Sequence, residues 1–336
     1  MSGRAPVVLT SVEGRLGHLR LNRPERINAL NLPMVQAVSQ ALTRWASDDS
    51  IDLVLIDGAG PRGLCAGGDI RQVYDGIQGE GVPPTAFWAV EYAMNAQIAH
   101  YPKPVVAFMD GIVFGGGVGI SAHAQVRIVT QRSQVAMPET AIGLCPDVGA
   151  LYLLARAPGL LGVHCALTGA RLNGPSAVYA GLADFFVTAE DLPELAGQLQ
   201  SGVLPALVAP QSPGHPDWMD SCYRAATVED IIAALRADGA PAAAATASML
   251  CTLSPTALKV TLEAIRRAAS MTLAEVLDQD LRVCSTFLAH PDFAEGIRAK
   301  LIDRDQSPSW VPARLSGVER DDVLAFFAPI PRQGLQ

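Results

Sequence analysis

Apolar residues fall along the first half of this chain in short runs and along the last third in wide helical stripes. Val7 to Thr10 and Arg15 to Leu21 are β-prone, and Glu13-Gly14 between them reads as a hairpin turn. Met34, Val35, Val38, Leu42 and Trp45 recur at helical spacing, with Pro33 suited to the first turn of that helix. Ile51 to Ile56 is almost unbroken in its apolar character, as a strand buried on both faces should be, and Asp57-Gly58 ends it. A longer helix is expected over Pro84 to Ala99, with Phe87, Val90, Met94 and Ile98 on its apolar side. Pro104 to Met109 is the next buried strand, which Asp110-Gly111 turns into three consecutive glycines, Gly115, Gly116 and Gly117. Strand, helix, strand, glycine turn and helix in this order predict an α/β fold, in which ligands sit where strand ends meet glycine turns and helix starts.

Downstream, Gly149 to Ala157 and Leu160 to Thr168 read as helices, Asn173-Gly174-Pro175-Ser176 starts another, and Phe185 to Val187 is the last expected strand. Pro205 to Pro216 is rich in proline, and beyond it the spacing is helical almost to the end. Val228 to Leu235, Pro255 to Ile265, Leu273 to Leu288 and Phe293 to Ile302 are the expected helices, with Thr227 and Ser254 as caps. The organisation implied is a β-rich core over 1–204 followed by a helical region over 205–336.

Composition narrows the function. Of 336 residues, 49% are hydrophobic and 17% charged, enough to bury a sizeable core. A net charge of -8 argues against a general nucleic-acid binder or an anionic-membrane binder, while a few local arginines can still hold an anionic small molecule. No stretch is apolar for long enough to span a bilayer, and Met1 to Pro6 leads into no signal-peptide core, so a cytoplasmic location is expected. Cys65, Cys145, Cys165, Cys222, Cys251 and Cys284 form no CxxC pair and read as reduced thiols. His18, His100, His123, His164, His215 and His290 show no ligand spacing, so no metal is expected; His123 follows the glycine run and could lie near a site there, with packing the plainer reading.

Two glycine turns carry candidate chemistry: Ala66-Gly67-Gly68-Asp69 and Gly115-Gly116-Gly117. One backbone N–H from each, brought together, could form an oxyanion hole, in which each donor is worth roughly 3 to 4 kcal/mol of barrier. Two acids, Glu139 and Asp147, lie downstream in largely apolar company. They suit proton transfer or nucleophilic attack, or, more plainly, helix capping. A phosphate-binding loop is excluded because no GK[ST] follows either turn.

Four motifs, in order and at similar spacing, resemble the crotonase (enoyl-CoA hydratase/isomerase) superfamily: Leu21-Asn22-Arg23-Pro24, Cys65-Ala66-Gly67-Gly68-Asp69-Ile70, Gly115-Gly116-Gly117-Val118-Gly119 and Met137-Pro138-Glu139. The resemblance implies a spiral of ββα units with a helical C-terminal region, and an acyl-CoA thioester as substrate and partner. Coenzyme A would enter with the substrate, so no separate cofactor is expected. It also implies that the Gly68 and Gly116 amides hold the thioester carbonyl, and that the backbone around Arg26, Ile27, Ala29, Ala66 and Ile70 cradles the CoA. Hydratases of the family carry a second glutamate where this chain has Gly119.

Further motifs resemble the family's hydroxyacyl-CoA hydrolases: Glu139 to Gly149, Glu91-Tyr92, Leu167-Thr168-Gly169, and Ile302 to Trp310. They imply hydrolysis of a 3-hydroxyacyl-CoA, 3-hydroxyisobutyryl-CoA first among them, as in valine breakdown. Glu139 would attack the carbonyl or activate water, Asp147 would orient or protonate, and Glu91 would bind the 3-hydroxyl. Cys145, where an aromatic is expected, could reshape the acyl pocket. An enoyl-CoA hydratase, a dienoyl-CoA isomerase and a non-catalytic CoA-binding protein remain alternatives, and the apolar helical tail suggests a homo-oligomer.

Overall fold

The hairpin forms where the alternation predicts it: β1 (Val8–Glu13) pairs antiparallel with β2 (Leu16–Leu21). From there the computed structural model, which describes residues 5–329, builds a six-stranded sheet in the order β1-β2-β3-β4-β6-β8. Residues 1–4, the start of the N-terminal stretch that lacks a signal-peptide pattern, lie outside the described residues. Strands β3 (Leu53–Gly58), β4 (Val105–Met109), β6 (Val126–Val129) and β8 (Phe185–Phe186) all run parallel to β2. Every residue of β4 is buried, as are the first five of β3, because helices cover both faces of a parallel sheet.

The glycine run does not leave β4 directly, as the spacing predicted. A three-residue strand, β5 (Ile112–Phe114), intervenes and pairs in parallel with β7 (Gln134–Ala136) to make a second sheet. The stretch before the first glycine turn joins its other edge through single bridges, Gly63 to Gly111 and Cys65 to Val113. Successive coils of the chain thus add a strand to the large sheet (β2, β3, β4, β6), then a short segment beside it, a single bridge at Leu30 and Cys65 and a full strand at β5 and β7, before turning into helix. This is the ββα spiral that the resemblance implied.

Helices α1 (Leu32–Ala46), α2 (Ile70–Ile77), α3 (Pro84–Ala99), α4 (Gly116–Ser121), α5 (Ala150–Leu154), α6 (Leu161–Thr168), α7 (Gly174–Tyr179) and α8 (Leu192–Leu199) accompany the strands. The Asn31 side chain caps α1 by accepting from Met34 N at 3.0 Å. Helix α3 spans its expected bounds but is buried on more than one side: Trp88, Glu91, Tyr92 and Asn95 are as enclosed as Phe87, Met94 and Ile98, while Val90 is only partly buried.

Beyond an irregular stretch the chain is helical: α9 (Asp217–Tyr223), α10 (Val228–Ala237), α11 (Pro241–Leu250), α12 (Pro255–Ala268), α13 (Leu273–Phe287), α14 (Pro291–Ile297) and α15 (Arg320–Ala325). A wide π-type turn, Arg298–Ile302, continues α14. Thr227 and Ser254 cap α10 and α12 through their side chains. One apolar cluster runs from Val8 to Phe326, so α12, α13 and α14 close the same core that the sheet opens. Among the described residues no helix is long and apolar enough to cross a membrane.

Candidate active site

The second sheet explains how distant motifs meet. Cys65 N donates to Ile112 O at 3.1 Å, and Phe114 N to Cys65 O at 3.0 Å, which lays the first glycine turn beside the second. Gly115 N donates to Ala136 O at 3.1 Å, which brings the end of β7, and with it Glu139, to the same place. Arg23 pins the first motif to this corner through a 2.8 Å ion pair with Asp69. Among the described residues neither Gly68 N nor Gly116 N has a backbone acceptor, whereas their neighbours Asp69 and Gly115 do.

Glycine is required here by space. A methyl group on Gly115 would lie 2.7 Å from Oε1 of Glu139, and one on Gly116 would lie 2.6 Å from Oε1 of Glu91 and 3.3 Å from Gly68 N. The two free amides and two carboxylates therefore converge on one point. That point opens into a cavity of about 790 Å³, large enough for a cofactor-sized ligand, which Asp147 and Val148 also line.

All three acids are enclosed: Glu91 is 2% exposed, Asp147 6% and Glu139 8%. Glu139 opens a 3-10 turn, Glu139–Ile142, and among the described residues its Oε2 has no hydrogen-bond partner, nor has Oε1 of Glu91. Asp147 accepts from the hydroxyl of Tyr92 at 2.6 Å. Its carboxylate caps no helix; only its backbone carbonyl receives Ala150 N, at 2.9 Å. Burial pushes Asp147 up to about 6, with the Tyr92 hydrogen bond opposing the rise. Burial first, and then the charge of Asp147, push Glu91 and Glu139 well above the usual carboxylate range. Such displaced acids in a cleft mark candidates for proton transfer or attack.

The position beside Gly119 is filled. A methyl group there would lie 2.6 Å from Cβ of Val148 and 2.9 Å from Nδ2 of Asn95, so no second glutamate fits on α4 without moving them.

The other end of the cavity is basic and open. Arg26, Arg71, Arg171 and Arg304 are exposed and Lys300 partly so, and all five line it. Ala29, Ala66 and Ile70 line it too. Ile27 does not: it takes a left-handed φ of 48°, and its carbonyl turns inward to receive Ala66 N at 2.9 Å. Cys145 also stays out of the wall, 1% exposed with its thiol against Pro146 O, so its size does not set the cavity's width directly. Among the described residues no cluster of three or more His, Cys, Asp or Glu is placed to hold a metal.

Spacing could not reveal three of the groups that shape this site. Tyr92 has no role in its motif, His123 follows the glycine run closely enough to lie near the site but reads more plainly as packing, and Asp280 carries no signal. Their partners lie 55, 25 and 131 positions away in the chain.

The chain matches the enoyl-CoA hydratase/isomerase family over residues 16–327. It is 40% identical to the mitochondrial 3-hydroxyisobutyryl-CoA hydrolase of Rattus norvegicus, covering 98% of this chain and 90% of that protein. With the Homo sapiens protein of the same name the identity is 38%, over 99% and 91%. Among solved structures, a carnitinyl-CoA dehydratase from Mycobacterium thermoresistibile superposes with a TM-score of 0.92 at 47% identity, covering 97% of this chain and 98% of that one. An enoyl-CoA hydratase from Rhodobacter sphaeroides also gives 0.92, at 43% identity over 96% and 98%. Sequence and fold agree along nearly the whole length, and the chain belongs to the enoyl-CoA hydratase/isomerase family.

Proposed function

We propose that the protein hydrolyses a 3-hydroxyacyl-CoA thioester, 3-hydroxyisobutyryl-CoA foremost, to the free hydroxy acid and CoA. The observation that carries this is the exchange around α4: Gly119 offers no carboxylate, Val148 fills the space, and Asp147 enters the cavity instead. Hydration of an alkene in this family uses two glutamates on one water, and only Glu139 stands in such a position. Near 40% identity to curated 3-hydroxyisobutyryl-CoA hydrolases supports the same substrate. Hydrolysis of that ester would belong to valine breakdown.

The carbonyl oxygen would sit between the Gly68 and Gly116 amides, where charge developing on it is stabilised without reorganisation. Glu139, once ionised, would either attack the carbonyl carbon and expel the CoA thiolate, giving an anhydride that water then cleaves to the hydroxy acid and free Glu139, or take a proton from a water that attacks the carbonyl directly. Asp147, titrating near neutrality, would orient the attacking group and deliver a proton to the departing thiolate. Glu91 would bind the 3-hydroxyl through its unpartnered oxygen. The basic rim, with Arg26 and Lys300 prominent, would meet the CoA phosphates.

Hydration or dehydration is the second possibility, since the two solved structures compared above carry the names of a dehydratase and a hydratase. One assay separates them. Incubation with 3-hydroxyisobutyryl-CoA should release free thiol, and crotonyl-CoA should keep its alkene absorbance. Alkene loss without thiol release would sink the proposal, and CoA binding with neither reaction would point to a non-catalytic binder.

A further inference from the structure

Asp147 is followed by an uncommon backbone. Val148 has φ 53° and Gly149 φ 74°. A β-branched residue rarely enters this left-handed region, and it persists there only where the surroundings impose it. Here they act on a single peptide unit. Its carbonyl, Val148 O, lies 2.7 Å from Nε2 of His123, just beyond α4. Its amide, Gly149 N, donates to Oδ2 of Asp280 on α13 at 2.8 Å. Both side chains are buried, His123 at 8% and Asp280 at 2% exposure. Burial holds His123 down to about 4, so the ring is neutral at pH 7. Because a carbonyl only accepts, the ring proton sits on Nε2.

We infer that His123 and Asp280 are positioning residues that grip the Val148–Gly149 peptide from both ends and so aim the Asp147 carboxylate into the cavity. If either grip is lost, the peptide can rotate between Val148 and Gly149, and Val148 can relax to a negative φ. Asp147 would then swing away from Tyr92, and Val148 from its place against Gly119. One peptide thus sets both the acid that is present and the space denied to a second glutamate. The kinetic test rests on the hydrolase function proposed above, and the structural test does not.

The full chain is compared with Asp280→Ala, Asp280→Leu, Asp280→Asn, His123→Ala and His123→Gln. A misplacement near 1 Å can cost on the order of 100-fold in rate. Thiol release should therefore fall tenfold to about 100-fold in kcat for Asp280→Ala, Asp280→Leu and His123→Ala, with KM for the acyl-CoA changed by less than about threefold. Asp280→Asn still accepts from Gly149 N and His123→Gln still donates to Val148 O, so both should recover most of kcat. Leucine keeps the forked skeleton of the acid, at larger volume, without accepting, so its agreement with the smaller alanine separates the hydrogen bond from mere packing.

Crystal structures of Asp280→Leu and His123→Ala should show Val148 at negative φ and Asp147 parted from the Tyr92 hydroxyl. Unchanged kcat in the alanine variants, or Asp147 unmoved in those structures, overturns the inference. If the Asp280 variants do not fold, the His123 pair decides by the same two readouts. If the wild-type chain hydrolyses no hydroxyacyl-CoA, the proposed function fails, and the crystal structures still decide the grip.

Discussion

Gly119 and Val148 occupy one volume between them, which makes the chemistry of α4 a matter of single atoms. Gly119→Ala is expected to cost about 1 to 3 kcal/mol through overpacking against Val148, read as a lower denaturant midpoint. Gly119→Glu should gain no crotonyl-CoA hydration while Val148 keeps its place. Glu139→Gln keeps the shape but cannot take a proton or attack, so kcat should drop by about 10² to 10⁴ with acyl-CoA binding retained. Hydrolysis unchanged by that exchange would remove Glu139 from the mechanism.

Asp147 also makes the site costly to fold. Its carboxyl titrates at about 6 in the folded chain against an ordinary 3.8, so the native state holds the proton more tightly than the unfolded one. The cost is absent below the unfolded value and grows as pH rises through about 6, towards a plateau of order 3 kcal/mol. Asp147→Asn should therefore lose activity yet melt higher than wild type, with a gap that opens between pH 4 and pH 8. A gap that does not vary with pH would contradict this account. Because Asp147 must hold its proton to deliver it to the thiolate, its share of the hydrolysis profile should be a descending limb, with kcat falling as pH rises through about 6.

At the level of elements, the long periodic segments are legible in the sequence, as is the two-residue β8, which falls in the expected run Phe185 to Val187, while β5, β6 and β7 are not. Helix α3 was expected with its observed ends, because sixteen residues give apolar spacing room to repeat. Strands β5 and β7, three residues each, and β6, four, offer too few positions for alternation to register. They are strands because of what flanks them: β6 pairs β4 on one side and β8 on the other, and β7 receives β5. Those unseen strands assemble the site, since β5 and β7 bring Gly116 and Glu139 together. Asp280 stayed hidden for another reason: its hydrogen bond spans 131 positions, and no local pattern encodes such a partner. The glycines were visible as glycines, but the force behind them was not. Gly115→Ala is expected to push Glu139 off its position and lower kcat at least tenfold, because the added carbon would lie 2.7 Å from Oε1 at φ 49°. An activity within twofold of wild type would show that Glu139 has slack.

Across the whole molecule, the C-terminal helices are part of the cavity. Phe293 on α14 lines it and packs on Trp88 of α3 with ring centroids 6.2 Å apart, and the π-type turn supplies Lys300. A chain ending at residue 204 would expose the apolar surface that α12, α13 and α14 cover, and should show no cooperative melting transition, whereas the full chain should melt in one. The opposed ends of the cavity divide the kinetics. Arg26→Ala and Lys300→Ala should raise KM for the CoA ester severalfold and leave kcat intact, with the effect fading as salt increases. A fall in kcat alone would place these cations elsewhere in the cycle.

The sheet also has a history written into its order. Strands β1, β2, β3, β4, β6 and β8 neighbour one another in the sequence in which a ribosome would release them. The large sheet can therefore assemble vectorially during synthesis. The acids cannot be sealed on that schedule, because α13 and α14 are among the last segments to emerge. Glu91, Glu139 and Asp147 should therefore stay hydrated on the nascent chain, with their costly enclosure deferred until the C-terminal helices dock. An arrest-peptide force profile should then show an early pull as the sheet forms and a late one as α13 and α14 clear the exit tunnel, with CoA retention only after the second.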